Sequence, residues 1–400
     1  DHVQHVELAA KKDGTVTGVR CTVYAGMGAY LSTAAPGIPT ILHGLMLSGV
    51  YTLPAVKEDV YGTYTNGTPV DAYRGAGRPE ATFMLERMMD QLAAELGMDP
   101  ADVRKKNLIP KFDDGHEVIT TLSYDSGDYP AALDKVLAHA DYAGLRATQA
   151  KGATNGTYLG LGLASYVEIC GLGPSQVAGA IGFQGGLWES AIVRFHPSGK
   201  VHVFIGASPH GQGEETTFAQ IVSNELGVDT NDVKVFHGDT DTTPMGWGTY
   251  GSRTTAVGGA ALALTARKIR DKAKVIAAHL LEAAVEDMDY EDGKFFVKGA
   301  PDRHKTITDI ALMANVAWNM PAGVEAGLEA STFYDPPNFT FPFGAHLAVV
   351  EVEAETGVVT LTRYVALDDC GPQINPVIVE GQVHGGVVQG IGQALWEEAV

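Results

Sequence analysis

Cysteine is nearly missing from this chain: Cys21, Cys170 and Cys370 are the only three in 400 residues, and no two show CxxC spacing. That argues against a zinc or iron–sulfur site built within the chain. It also fits a reducing cytoplasm better than a disulfide-built secreted protein. Basic residues are in deficit, 28 against 48 acidic ones for a net charge of −20, which argues against nucleic acid or an anionic membrane as partner. No apolar run reaches membrane-spanning length, and no signal peptide opens the chain. A Walker pattern is missing, as is a GxGxxG after a strand, so ATP and NAD readings are weak. The opening Asp1-His-Val3 reads as mid-strand and the end carries no helix stop, so the chain is expected to be an excised piece of a longer one.

What the chain has in excess is glycine, 48 residues without a collagen-like period, implying many tight turns and close backbone approaches. The stretch Asp71-Ala-Tyr-Arg-Gly-Ala-Gly-Arg78 shows what this serves. Two arginines four residues apart flank a run with almost no side-chain bulk, just before a helix expected from Pro79 to Gly97. Fixed cations on a flexible loop at a helix start suit an anionic or oxygen-rich ligand. The bland alternative is a turn whose arginines pair with nearby acids.

Pattern and turn chemistry predict a hairpin from Val3–Ala10 and Val16–Tyr24, an extended loop with a short helix over 26–49, and a strand Val56–Tyr64. Helices follow from Pro79, from the Asp99-Pro100 cap and after Asp128. Ala81, Leu85, Met88, Leu92 and Leu96 give the first of these its buried stripe. Stretches 110–128 and 143–157 read as linkers. Further strands are expected over 159–169, 187–195, 200–205 and 233–237, and as a hairpin over 346–367. Helices are expected over 214–226, from about 255 to 287, and at the end of the chain. The recurring order of strand pair, Gly-rich loop and helix predicts an α+β protein of repeated mixed sheet-plus-helix layers. A first portion over 1–150 carries the Arg74 loop, and a second covers 151–400.

Four Gly-rich loops sit at strand-to-helix junctions, bearing Arg74, His210-Gly-Gln212-Gly213, Ser252-Arg253, and Gln382 with Gln389. A glutamine amide suits the edge of a heterocycle such as a pterin, and backbone N–H groups at helix starts suit phosphates. The expected ligand is a dinucleotide-like cofactor with a pterin or flavin body, gripped from several loops. His210 reads more simply as a loop histidine bonded to backbone, and Asp239 with Asp241 as an exposed acidic turn.

In this setting the chain resembles the molybdopterin-binding large subunit of the xanthine dehydrogenase/aldehyde oxidase family, the carbon monoxide dehydrogenase type above all. The resemblance rests on Ala72-Tyr-Arg-Gly-Ala-Gly-Arg78, Gly211-Gln-Gly-Glu-Glu-Thr-Thr-Phe-Ala-Gln220, Gly248-Thr-Tyr-Gly-Ser-Arg253, and Ile374-Asn-Pro376 with Glu380-Gly-Gln382 and Val388-Gln-Gly390, in the family's order along nearly the whole chain. It implies a molybdopterin-binding α+β fold and a molybdenum hydroxylase that oxidises an aldehyde or N-heterocycle. It implies that Arg74 faces substrate and steadies developing negative charge. Gly75, Ala76, Gln212, Gly213, Ser252, Arg253, Gln382 and Gln389 are implied to bind the cofactor. Molybdenum is held in this family by the pterin, expected here as the cytosine dinucleotide, so no metal ligand is expected from the protein.

Two departures from the family pattern stand out. Carbon monoxide dehydrogenases carry a copper-anchoring cysteine in the first loop; this chain has Gly75, followed by Ala76 and Gly77, so no copper is expected and the pocket reads as open there. The family's general base, a glutamate in a Gly-Glu motif, is expected beyond this chain; Glu397 and Glu398 read as solvated. The implied partners are an iron–sulfur small subunit and an FAD-binding medium subunit, in a cytoplasmic dimer of heterotrimers acting on a small-molecule substrate.

Overall fold

A computed structural model describes residues 2–180, 182–183 and 185–397. Glu398 lies outside the described residues. The chain forms two compact units that it visits alternately. Of the described residues, those in 2–169 and 340–371, with 397, make the first; those in 170–339 and 372–396 make the second. The expected cut after residue 150 does not coincide with this division. Strand Thr157–Val167 is hydrogen-bonded along its length to the late strand Phe343–Glu353, and so stays with the first unit.

In the first unit, His2–Ala10 and Val16–Gly28 form the expected antiparallel hairpin, and Val56–Tyr64 adds to it in parallel. A parallel neighbour needs a crossover, which residues 29–55 supply, including a π-helical turn Ile38–Leu42 and a short helix His43–Leu45. Helix Arg78–Leu96 has proline and Glu80 in its first turn, and ends on Gly97, whose N–H reaches the Ala93 and Ala94 carbonyls. Its buried face is Ala81, Met84, Leu85, Met89 and Ala93, not the Met88–Leu92–Leu96 line expected. The stripe is turned because Glu86 is buried too, held by Arg104 Nε at 2.7 Å and by Tyr51 Oη at 2.5 Å. The expected linker at 143–157 contains helix Tyr142–Gln149, and 110–128 contains a two-residue ladder. A second sheet sets Phe343–Glu353 between Thr157–Val167 and Val359–Asp369, with helix Tyr129–Ala140 packed against it.

The second unit is built on a four-stranded sheet in the order Glu329–Tyr334, Glu189–Phe195, Val201–Ile205, Val233–Phe236. Helices Glu214–Leu226, Ala260–Leu280 and Ile307–Val316 close its core, where Phe195, Ile205, Phe218, Leu262, Ile269 and Ile310 are buried. The long helix stops at Leu280, short of the expected 287, as Glu282 takes a left-handed backbone with φ +50°. Residues 288–306 then form a small three-stranded sheet, which alternation did not reveal. The architecture is α+β, in sheet-and-helix layers, as expected.

Candidate functional site

The Arg74 loop belongs to the first unit. Arg74 is exposed, and the chain behind it is wound tightly: φ is +103° at Gly75, +43° at Ala76 and +87° at Gly77. A Cβ built on Gly77 would lie 2.4 Å from the Ile38 carbonyl oxygen, and one on Gly75 2.3 Å from Pro79 Cγ. The Gly75–Gly77 run therefore does not leave open space at the backbone, as the sequence suggested. It is filled by the loop's own helix start and by the π-helical turn.

The second arginine, Arg78, is buried and anchors the loop. Its guanidinium donates to the Ile169 carbonyl at 3.1 Å and lies 3.4 Å from Glu168. Tyr73 Oη donates to Glu397 at 3.0 Å, so that carboxylate is engaged and not merely solvated.

Three segments meet in the second unit. Strand Val201–Ile205 delivers Gly206–Gly213, and a Cβ on Gly206 would stand 2.4 Å from Gly246 Cα. Two glycines are needed for that approach, and Ser208 N–H fixes it by donating to Thr249 Oγ1 at 3.0 Å. The final helix, Pro376–Leu395, is capped by the Asn375 side chain, which accepts from Ile378 N–H at 3.1 Å. The same Asn375 donates to Gln220 Oε1 at 3.0 Å, tying the helix to Glu214–Leu226. Ile378 packs over Gly213. The Gly206–Gly213 loop is thus joined to the 246–249 backbone on one side and, through Gly213, to the start of the last helix on the other. Gln382 is exposed and Gln389 half-buried further along that helix.

Arg253 has a different place from the one its motif implied. It is 1 % exposed, and five donor contacts are made inside the protein. Nε donates to Leu172 O at 3.0 Å, Nη1 to Glu189 Oε2 at 2.8 Å and to Gly248 O at 2.6 Å, and Nη2 to the Leu187 and Trp188 carbonyls at 2.7 and 2.9 Å. A guanidinium has five N–H donors, so none is left over for a ligand. Glu189, buried and unforeseen from sequence, balances its charge and also accepts from Ser190 N–H at 2.9 Å. Arg253 shapes the 246–252 backbone. Ser252, exposed with φ +53°, is held out at its end.

Glu214 was also missed as an individual residue. Its Oε2 accepts from Gln212 Nε2 at 2.9 Å while Gln212 Oε1 accepts from His210 N–H at 2.5 Å. Glu214 Oε1 and Trp247 Nε1 are buried with no hydrogen-bond partner among the described residues. Burial pushes the Glu214 carboxyl above its ordinary range, with the neighbouring charge of His237 opposing. The signal available in sequence was only its position, first residue of a helix after a Gly-rich loop.

Two family models, each described as a molybdopterin cofactor-binding domain, match residues 1–108 and 135–400. The chain belongs to the molybdopterin cofactor-binding family. It is 45% identical, over its whole length, to half of the carbon monoxide dehydrogenase large chain of Hydrogenophaga pseudoflava. A crystal structure of the Cu,Mo-CO dehydrogenase matches 96% of it with a TM-score of 0.90 at 40% identity, using 49% of that chain. Quinoline 2-oxidoreductase from Pseudomonas putida 86 matches all of it with a TM-score of 0.94 at 34% identity, using 51% of that chain. The chain spans about half the length of the curated relatives it matches. The second unit's residues suit the family's cofactor. Buried polar atoms of Glu214 and Trp247 await partners, and the backbone at Gly211 and Gly248 is open, with no atom within 4 Å of a built Cβ. Among the described residues no group of three or more His, Cys, Asp or Glu could hold a metal ion. No described helix is long and apolar enough to cross a membrane.

Proposed function

We propose that this chain is the cofactor-gripping part of the large subunit of a molybdenum hydroxylase that oxidises an aldehyde or N-heterocycle with water-derived oxygen. The observation that carries the reading is the cluster in the second unit, where two Gly-rich loops and a capped helix start are tied by Ser208–Thr249 and Asn375–Gln220 hydrogen bonds. When bound, molybdopterin supplies the two-electron redox chemistry. Gln212, Gly213, Ser252, Gln382 and Gln389 bind and orient the cofactor, expected as its cytosine dinucleotide, and Gly75 and Ala76 lend backbone to the same task. Arg253 acts behind them by fixing the loop. Arg74 steadies negative charge on the reacting substrate. Transfer of electrons onward needs groups this chain lacks, so an iron–sulfur subunit and an FAD subunit are its proposed partners, in a cytoplasmic dimer of heterotrimers.

Copper is not part of the proposal. Gly75 stands where the copper-anchoring thiolate belongs, and soft thiolate is what selects that metal. The identity to carbon monoxide dehydrogenase large chains favours a second reading, a genuine CO-oxidising large chain; a cofactor-free scaffold is the third. Molybdenum, pterin and copper analysis of the longest natural chain containing this segment separates the three. Molybdenum and a dinucleotide pterin without copper are expected. Stoichiometric copper would favour CO oxidation, and neither metal would leave the scaffold.

A further inference from the structure

Among the side chains left over by the function above, Glu214 is the one whose presence the fold does not justify. It is 3 % exposed, yet one carboxylate oxygen, Oε1, has no hydrogen-bond partner among the described residues. Among the described residues no arginine or lysine forms an ion pair with it, in contrast to the buried Glu189 and Glu86. An acid buried this way works against stability. Such local costs are kept where a site needs them.

Its one bond points to that need. Gln212 Nε2 donates to Glu214 Oε2 at 2.9 Å, and on the other side Gln212 Oε1 accepts the His210 N–H at 2.5 Å. A backbone N–H only donates and an ionised carboxylate only accepts. The two partners therefore demand the same orientation of the Gln212 amide, and the flipped one is rejected at both ends. Gln212 is left with one N–H and one oxygen lone pair in fixed directions, a set that matches the acceptor and N–H donor edge of a lactam or aminopyrimidine ring. Without Glu214, the Nε2 end loses its fixed partner. Gly213, between the two residues, has left-handed backbone (φ +79°) under Ile378, which holds them at this spacing.

We infer that Glu214 is a positioning residue: its carboxylate fixes the Gln212 amide so that Gln212 reads a heterocycle edge of the cofactor. This rests on the cofactor-binding reading proposed above. The test uses the longest natural chain containing this segment, purified as assembled in the cell. It compares the parent, Glu214→Leu, Glu214→Gln, Gln212→Ala and the double variant for released pterin and molybdenum per chain. Thermal unfolding of each apoprotein is measured alongside. Glu214→Leu is expected to lower pterin content about tenfold with an apo unfolding temperature equal to or above the parent's, and Glu214→Gln to keep most of the pterin, since a glutamine oxygen still accepts. In the Gln212→Ala background, Glu214→Leu should lower pterin no further, because one residue acts through the other. Full pterin in Glu214→Leu, an equal loss in both backgrounds, or a loss that tracks a lowered apo unfolding temperature would each overturn the inference. A parent chain without pterin defeats the cofactor reading instead, which keeps the two failures apart.

Discussion

At the scale of single residues, the arginines of the cofactor motifs differ in burial. Arg74 stands exposed, while Arg78 and Arg253 are buried and committed to carbonyls and carboxylates. Sequence could name all three but could not sort them, because Arg-Gly-Ala-Gly-Arg and Gly-Ser-Arg look alike whether the fork faces a ligand or the protein. The partners that decide, Ile169, Glu168 and Glu189, are distant along the chain. The commitment of Arg253 is testable. Arg253→Lys keeps the charge but loses the planar fork, leaving carbonyls of Leu187, Trp188 or Leu172 without donors. A loss of roughly 1–3 kcal/mol, the cost of leaving buried acceptors unpaired, is expected in chemical denaturation, whereas Arg74→Lys should leave stability within about 0.5 kcal/mol. Gly77→Ala meets both a positive φ and the Ile38 carbonyl, and should cost roughly 1–3 kcal/mol from the backbone alone. Cys21 offers a chemical check. Burial, aided by Glu58 and Asp59, pushes its thiol up to about 12, so it should stay unalkylated by iodoacetamide in the native protein at pH 8 and react only on unfolding.

At the scale of elements, the helices with caps were the most legible. Pro79 with Gly97, and Glu214 with Gly227, bound their helices within a residue, because capping is local chemistry. Strand pairing was less so: the parallel partner of Val16–Gly28 and the central place of Phe343–Glu353 depend on contacts that no window of sequence contains. The last helix shows the same division. Its start at Asn375-Pro376 is readable, yet that Asn375 also grips Gln220 is not. Asn375→Ala should cost about 0.5–2 kcal/mol for the cap and show as faster amide exchange confined to the first turn of Pro376–Leu395. The second sheet of the first unit carries a pH-sensitive group of its own. On its outward face Asp368 accepts from Tyr166 and lies 3.2 Å from His346 Nε2. Burial works to raise its carboxyl, but the hydrogen bonds from His346 and Tyr166 prevail and it sits below the ordinary range. A depressed folded-state value means stability that is present above the unfolded value, about 3.9, and lost as pH falls through the folded one. Tyr166→Phe should flatten that acid limb while changing stability near neutrality less than the loss of a core side chain would, which unfolding at a series of pH values from 7 to 2.5 would read.

At the scale of the whole molecule, the charge balance and the α+β class were visible from composition and pattern, and the order of the cofactor motifs pointed to the family. The division into units was not, since the first unit is assembled from three separate stretches of chain. A fragment ending at residue 150 would lack Phe341 and Phe343, which pack on Tyr124 and Tyr129 with ring centroids 4.8 and 5.1 Å apart. Such a fragment is expected to bind hydrophobic dye and give poorly dispersed spectra, unlike the 400-residue chain. The late return of that hairpin also sets a schedule. Strand Thr157–Val167 leaves the ribosome well before Phe343–Glu353, and at typical elongation rates the roughly 175 residues between them take about 10–35 s to synthesise. Through that interval the earlier strand's edge toward Phe343–Glu353 stays unpaired, so the sheet of the first unit cannot close until residues 170–339 of the second have been synthesised.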